Sequence, residues 1–233
     1  MERIDQKDGA RSVPFDSGNI SIVRGPVIAV LLTLPLAANL GAGPWRGDSW
    51  YPLAKGTAWV YQTDYDEDTD IIHEVSGTEK VGETECFVVE HKSHNEKEKR
   101  TRNLRKEWLA AGEEGVMIHK VQRGSSELGV DKPFFKLKGD LRKGEEWEGE
   151  ARTSGDPVKY HYLVEGEEDV QVPAGKYRAV KIRIKIGQGE RHSAEGHEWY
   201  VKNVGLVKSE ITLRFGAEGT TIVSELKEYR KAK

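Results

Sequence analysis

The sequence predicts an all-β, mainly antiparallel protein. It reads as two tandem copies of a five-to-six-stranded unit forming a curved sheet, a half-barrel or a sandwich. Three observations carry this. First, apolar and charged residues alternate over Tyr177–Ile186, with Val180, Ile182, Ile184 and Ile186 on one face and Lys181, Arg183 and Lys185 on the other, the period of a half-buried strand. Second, the 25 glycines fall between such runs as turn punctuation, and no long amphipathic helical pattern follows the N-terminal region. Third, Glu107-Trp108-Leu109 followed by Gly115 returns as Glu198-Trp199-Tyr200 followed by Gly205.

The echo runs along the chain in order. Lys55-Gly56-Thr57-Ala58-Trp59 is answered by Lys143-Gly144-Glu145-Glu146-Trp147. Val75-Ser76-Gly77-Thr78-Glu79-Lys80-Val81 is answered by Val164-Glu165-Gly166-Glu167-Glu168-Asp169-Val170. The copies are therefore expected at 50–124 and 125–229. Within them, Thr57–Thr63 places Trp59 and Tyr61 on one face, Tyr160–Val164 alternates less strictly, and Ile211–Phe215 alternates cleanly. Ser76-Gly77, Val172-Pro173-Ala174-Gly175, Asn203-Val204-Gly205 and Gly216–Gly219 supply hairpin or loop signals. Ser224–Lys233 reads as a last strand or a short helix.

The 233 residues suffice for one large domain or two small ones, and 36% hydrophobic against 32% charged residues describe a hydrated chain that can still close a core. With 36 basic and 39 acidic residues the net charge is −3, which argues against a dedicated nucleic-acid binder. Cys86 is the one cysteine, so no intrachain disulfide forms. The compartment is read from residues 1–42. Gly25–Gly43 is an uncharged apolar run behind Arg24 that ends in small residues, the pattern of a secretory signal peptide with cleavage near Ala42 or Ala38. Export to the periplasm or beyond is expected, with an uncleaved membrane anchor as the alternative. Pro35 and Asn39 weaken the run as a spanning helix.

A set of motifs in Trp50–Tyr229 resembles a broad family of exported bacterial β-proteins of unknown function, including TapB-like members. These are Tyr51-Pro52-Leu53 with Gly56, Trp59 and Tyr61; Val172-Pro173-Ala174-Gly175 running into Val180-Lys181-Ile182; and Trp199-Tyr200 followed by Val204-Gly205-Leu206-Val207-Lys208. The resemblance implies an antiparallel curved sheet like that of LolA and LolB and a place in the cell envelope. It implies no catalytic residue. The first copy departs from it, having Lys80-Val81-Gly82-Glu83 where the second has its Val-Pro-Ala-Gly turn.

Motifs that would announce chemistry are incomplete. Asp64-Tyr65-Asp66-Glu67-Asp68 opens like a calcium loop, but Thr69 stands where the loop needs glycine and Val75 where it needs glutamate. His91 with His94, and His192 with His197, are the candidate zinc ligands of an alternative reading as a metal-assisted envelope hydrolase. A three-residue step along a strand sends two side chains to opposite faces, and no His-Glu-x-x-His is present. Gly124-Ser125-Ser126-Glu127-Leu128 is not a nucleophile elbow, and Cys86 sits in an apolar run as a small core residue. Lys176, Arg178, Lys181, Arg183 and Lys185 form a basic edge suited to anionic headgroups or to acidic cross-strand partners.

The functional expectation is a non-enzymatic binding or structural module without cofactor or metal. Any ligand would be a lipid or other amphiphile held on an apolar interior lined by Trp59, Tyr61, Trp108, Trp147, Trp199 and Tyr200. The same six plates would otherwise simply fill the inside of a curved sheet. A protein-partner module, marked by an exposed apolar patch, is the third reading.

Overall fold

A computed structural model describes residues 49–232 except 153–155, 189–191 and 217. The expected leader, with its cleavage position, lies outside the described residues. Thirteen strands follow one another without a helix among the described residues. β1 (Ala58–Thr63), β2 (Thr69–Val81), β3 (Thr84–Asn95), β4 (Arg100–Gly112), β5 (Gly115–Arg123) and β6 (Ser126–Leu128) form an antiparallel meander. After β7 (Phe134–Lys138), a second meander runs through β8 (Glu146–Ala151), β9 (Val158–Val172), β10 (Gly175–Gln188), β11 (His192–Val201), β12 (Gly205–Phe215) and β13 (Glu218–Arg230). β1 pairs with β13, so both meanders belong to one sheet in the order β6-β5-β4-β3-β2-β1-β13-β12-β11-β10-β9-β8.

The sheet curls until its far ends approach each other. β7 pairs along β5, and β8 is drawn against β7: Trp147 Nε1 donates to the Phe135 carbonyl at 3.0 Å, and Lys138 pairs with Glu145. Beyond them, the Arg152 amide donates to the Gly129 carbonyl at 2.6 Å. Between the described ends only the Gly129–Arg152 bridge is a backbone pairing, so the sheet remains open there.

Matching turns and bulges occur in the two meanders. The Gly56 amide donates to Val75 O and the Val75 amide to Thr57 O, both at 2.9 Å; Gly144, Val164 and Glu145 repeat the pair at 2.8 and 2.9 Å. The pairing skips Ser76 between β2 and β3 and Glu165 between β9 and β10. It skips His119 opposite Trp108 and Val207 opposite Trp199. A bulge inserts one residue without changing which face its neighbours share with the partner strand. Gly205 has φ +103°, and a Cβ there would stand 2.9 Å from the Trp59 indole nitrogen, so only glycine lets this turn close on that ring.

The core fills one end of the curl. Trp59 is wholly buried between Tyr51 (centroids 5.0 Å apart) and Tyr229 (6.0 Å), and its Nε1 donates to the Val204 carbonyl at 2.5 Å. Val75, Val89, Leu109, Val164, Ile182, Val207 and Leu226 complete that end.

Candidate functional site

Strand alternation decides what enters the curl. Cross-strand partners share a face, so Tyr61, Ile71 and Ser93 stand in one inward row and His73, His91 and Arg105 in another. On β4, the bulge at Leu104 lets Arg102 and Arg105, three positions apart, both point inward; Glu107 and Leu109 then follow by alternation. On β7, Lys136 is the extra residue of a bulge and also turns inward. Four strands thus bring a polar cluster into the interior beneath the aromatic core.

Its centre is Glu107, 3% exposed. Lys136 Nζ donates to Glu107 Oε2 at 3.1 Å, Arg105 Nη2 lies 3.3 Å from Oε1, and His91 Nε2 lies 3.3 Å from Oε2 without the alignment of a hydrogen bond. Burial alone would raise this carboxyl's pKa. Arg105, Lys136 and His91 outweigh it and hold Glu107 well below the ordinary range. Burial lowers His91 to about 4, with Arg105 acting in the same sense, so this ring is neutral at pH 7. His73 packs on His91 with centroids 4.0 Å apart and is also lowered by burial and by His91; its buried Nδ1 has no partner among the described residues. Lys136 Nζ also lies 5.6 Å above the Tyr51 ring.

A second inward acid, Glu198, accepts a hydrogen bond from Tyr200 Oη at 2.5 Å. Its charge, behind the larger effect of burial, raises the pKa values of Tyr162 and Tyr200. Glu107 and Glu198 are thus the acids of the repeated Glu-Trp pair. The sequence drew attention to the tryptophans, and the signal for the acids lay beside them: on a strand, Glu and Trp in succession cannot both face outward.

The six aromatic candidates do not form one surface. Trp59, Tyr61 and Tyr200 meet inside, and Trp147 stacks on Tyr162 with centroids 5.1 Å apart. Register places Trp108 and Trp199 on the outer face. There Trp108 Nε1 donates to Glu79 at 2.8 Å beneath Lys120, and Trp199 Nε1 donates to Glu168 at 2.6 Å between Lys181 and Lys208. All six are buried, and none borders the two cavities described next.

One cavity of about 460 Å³ opens at the other end of the curl, bordered by Thr63, Ile71, Ser93, Arg100, Arg102 and Ile222. Register puts all six side chains on the inner face. Ile211 and Leu213 continue the inner apolar row from Ile222 and remain half-exposed. A cleft of about 920 Å³ lies along the ends of β8–β12, with Phe134, Tyr160, Ile186 and Ala194 on its border.

The histidines of the metal reading are not brought together. His91 is inside, while His94 bonds Thr101 at 2.8 Å among exposed groups, and His197 pairs with Glu165 at 3.3 Å on the outer face. The side chain of His192 lies outside the described part. Among the described residues, no three His, Cys, Asp or Glu side chains are grouped to hold a metal. His73, His91 and Glu107 do adjoin, but Arg105 and Lys136 bring positive charge where a cation would sit. Cys86 is buried on the outer side with Val88 and Trp108, and burial pushes its thiol up to about 11, the state of an inert core residue. The basic edge is answered by acids, Arg178 by Glu167 and Asp169 and Arg183 by Glu165.

A family model described as DUF3108-like matches residues 162–215, the span from β9 to β12 that holds the Val-Pro-Ala-Gly turn and the second Glu-Trp pair. No curated protein matches the sequence. Among solved structures, the chain is similar to an exported protein with a YmcC-like fold from Bacteroides fragilis, with TM-score 0.45, 14% identity, and coverage of 79% of this chain and 100% of that one. A protein of Parabacteroides distasonis assigned as a lipoprotein gives 0.44, 14%, 78% and 99%. The hypothetical lipoprotein YmcC of Escherichia coli gives 0.36, 7%, 77% and 87%.

Proposed function

We propose that this chain is an exported protein of the cell envelope that acts by binding, holding an amphiphile in the open end of its curled sheet. The apolar run Gly25–Gly43, with its small-residue end, supports export. One observation carries the binding reading. Ile71 and Ile222 border a cavity of about 460 Å³ whose remaining wall is mostly polar, and the half-buried Ile211 and Leu213 extend the inner apolar face from Ile222. Sites for small molecules span roughly 300–1,000 Å³ and combine apolar walls with a few polar groups. Of the six aromatic residues, Trp59, Tyr61, Trp147 and Tyr200 pack inside the curl, and Trp108 and Trp199 lie on its outer face.

Native mass spectrometry of the full chain, purified from an envelope extract without detergent exchange, tests the reading. A reproducible added mass in the lipid range supports it. A bare polypeptide mass, together with no binding of added dodecyl amphiphiles, overturns it. A metal-sized mass with a chelator-induced fall in Tm would favour the metal-assisted hydrolase instead, because a bound metal stabilises the fold.

A further inference from the structure

The geometry points to an anionic head group on the amphiphile, received by the arginines of β4 and β5 while its tail lies along the isoleucine row. This rests on the binding reading above. Arg100 and Arg102 border the cavity on the inner face, and neither has an ion-pair partner among the described residues. Deeper along the same wall, Arg105 stands directly opposite Arg123 in the β4–β5 register. Like charges directly opposite on one face of a sheet destabilise it. Glu107 answers Arg105 and Lys136, but Arg123 has no carboxylate partner among the described residues.

The acids of this region do not cancel the arrangement. Asp66 is held within its own loop, accepting from Thr69 Oγ1 at 2.7 Å and from the Asp68 amide at 3.0 Å. Glu198 is engaged by Tyr200. Glu98 borders the cavity with no side-chain partner among the described residues, and it opposes an incoming anion. What remains unanswered on the inner wall is three guanidinium groups against one carboxylate. Guanidinium offers paired N–H donors to carboxylate and phosphate oxygens alike, so the head group is defined by its anionic oxygens. Ile71 and Ile222 supply the apolar side of the cavity, and Ile211 and Leu213 extend the inner apolar face from Ile222.

The test is calorimetric titration of the full chain with four probes of equal tail length, each below its micelle concentration: laurate, dodecyl phosphate, dodecyl maltoside and dodecyltrimethylammonium. Inorganic phosphate serves as a tailless fifth. Laurate, dodecyl phosphate or both are expected to bind about tenfold or more tightly than the neutral and cationic probes, and the two anions compared show whether carboxylate or phosphate is preferred. The double variant R102Q/R123Q, which leaves Arg100 in place, should lose most of that preference yet keep its affinity for the maltoside. E98Q should strengthen anion binding. The three residues are exposed, so Tm should hold and a lost preference would not reflect unfolding. Equal affinity for all four head groups overturns the arginine assignment and leaves the amphiphile reading standing. Inorganic phosphate binding as tightly as dodecyl phosphate overturns the assignment of a tail to the isoleucine row. Failure of every dodecyl probe to bind overturns both.

Discussion

Glu107 is the residue on which the interior turns, because one buried carboxylate answers two cations and a neutral imidazole. Glu107→Gln keeps the shape and removes the charge, leaving Lys136, 14% exposed, without its counterion. Removing one partner of a buried pair costs about 3–5 kcal/mol, and urea unfolding at pH 7 should show a loss of that order. Glu198→Gln can still accept from Tyr200 and should lose about 1 kcal/mol or less. Acid should weaken the same cluster. Unfolded histidine takes its proton near pH 6.5, whereas folded His91 resists until about 4. Between those values the unfolded chain binds the extra proton, so stability present at pH 7 declines as pH falls through this window. Glu107, held below its unfolded value, contributes stability above roughly pH 4.3 that is lost as pH falls further toward its folded value. Urea midpoints at pH 7, 5.5 and 4 should therefore fall in that order, and His91→Gln should reduce the first step, the buried His73 supplying the rest. A constant midpoint would show that the ring is not held neutral. None of these couplings was legible beforehand. Arg105, Lys136 and His91 reach Glu107 only because strands distant in sequence are neighbours in the sheet, and because bulges on β4 and β7 turn two of the cations inward.

At the scale of elements, periodicity and punctuation were highly informative. Val180, Ile182, Ile184 and Ile186 were expected on one dry face and are all in or against the core. Ser224–Lys233 reads as either strand or short helix, and in the structure β13 runs from Glu218 to Arg230. What alternation could not reveal was the set of one-residue slips, since a bulge leaves no signature in the composition of its strand. We infer that β1–β6 and β8–β13 are two copies of one unit, from the matching hydrogen bonds at Gly56 and Gly144 and the slips beside Trp108 and Trp199. Each of those tryptophans donates to the acid two strands away, Glu79 or Glu168, and lies under lysine ammonium groups. Trp108→Phe and Trp199→Phe should therefore cost similar amounts, about 1–3 kcal/mol each for a bond to a charged acceptor. Thermal unfolding of the two variants side by side measures this. Penalties that differ by more than the whole of that range would deny that the two positions are equivalent.

At the scale of the whole molecule, the decisive contact joins the chain's first strand to its last. β1 has β2 on one side and β13 on the other, and the buried Tyr61 donates to the Leu206 carbonyl on β12 at 3.0 Å. The repeat in the sequence allowed two separate domains or one shared sheet, and nothing local distinguishes them, because the choice depends on what covers the open edge of β1. With β13 in place there, the aromatic floor around Trp59 draws from both meanders: Tyr51 from the first, Val204, Gly205 and Tyr229 from the second. The two halves are therefore expected to unfold together. Near-ultraviolet dichroism from the buried aromatics and far-ultraviolet dichroism from the sheet should give one coincident urea transition. A chain ending at Gly216, which lacks β13, exposes the edge of β1, unpairs Leu226 from Tyr61 and opens the Trp59 cage. It should lose cooperative unfolding altogether and associate through the bared strand, giving concentration-dependent light scattering. A monomeric truncated chain with its own sharp transition would show instead that each meander folds by itself. The interior would then be an interface between two domains, and the open end proposed to hold a ligand would depend on how they dock.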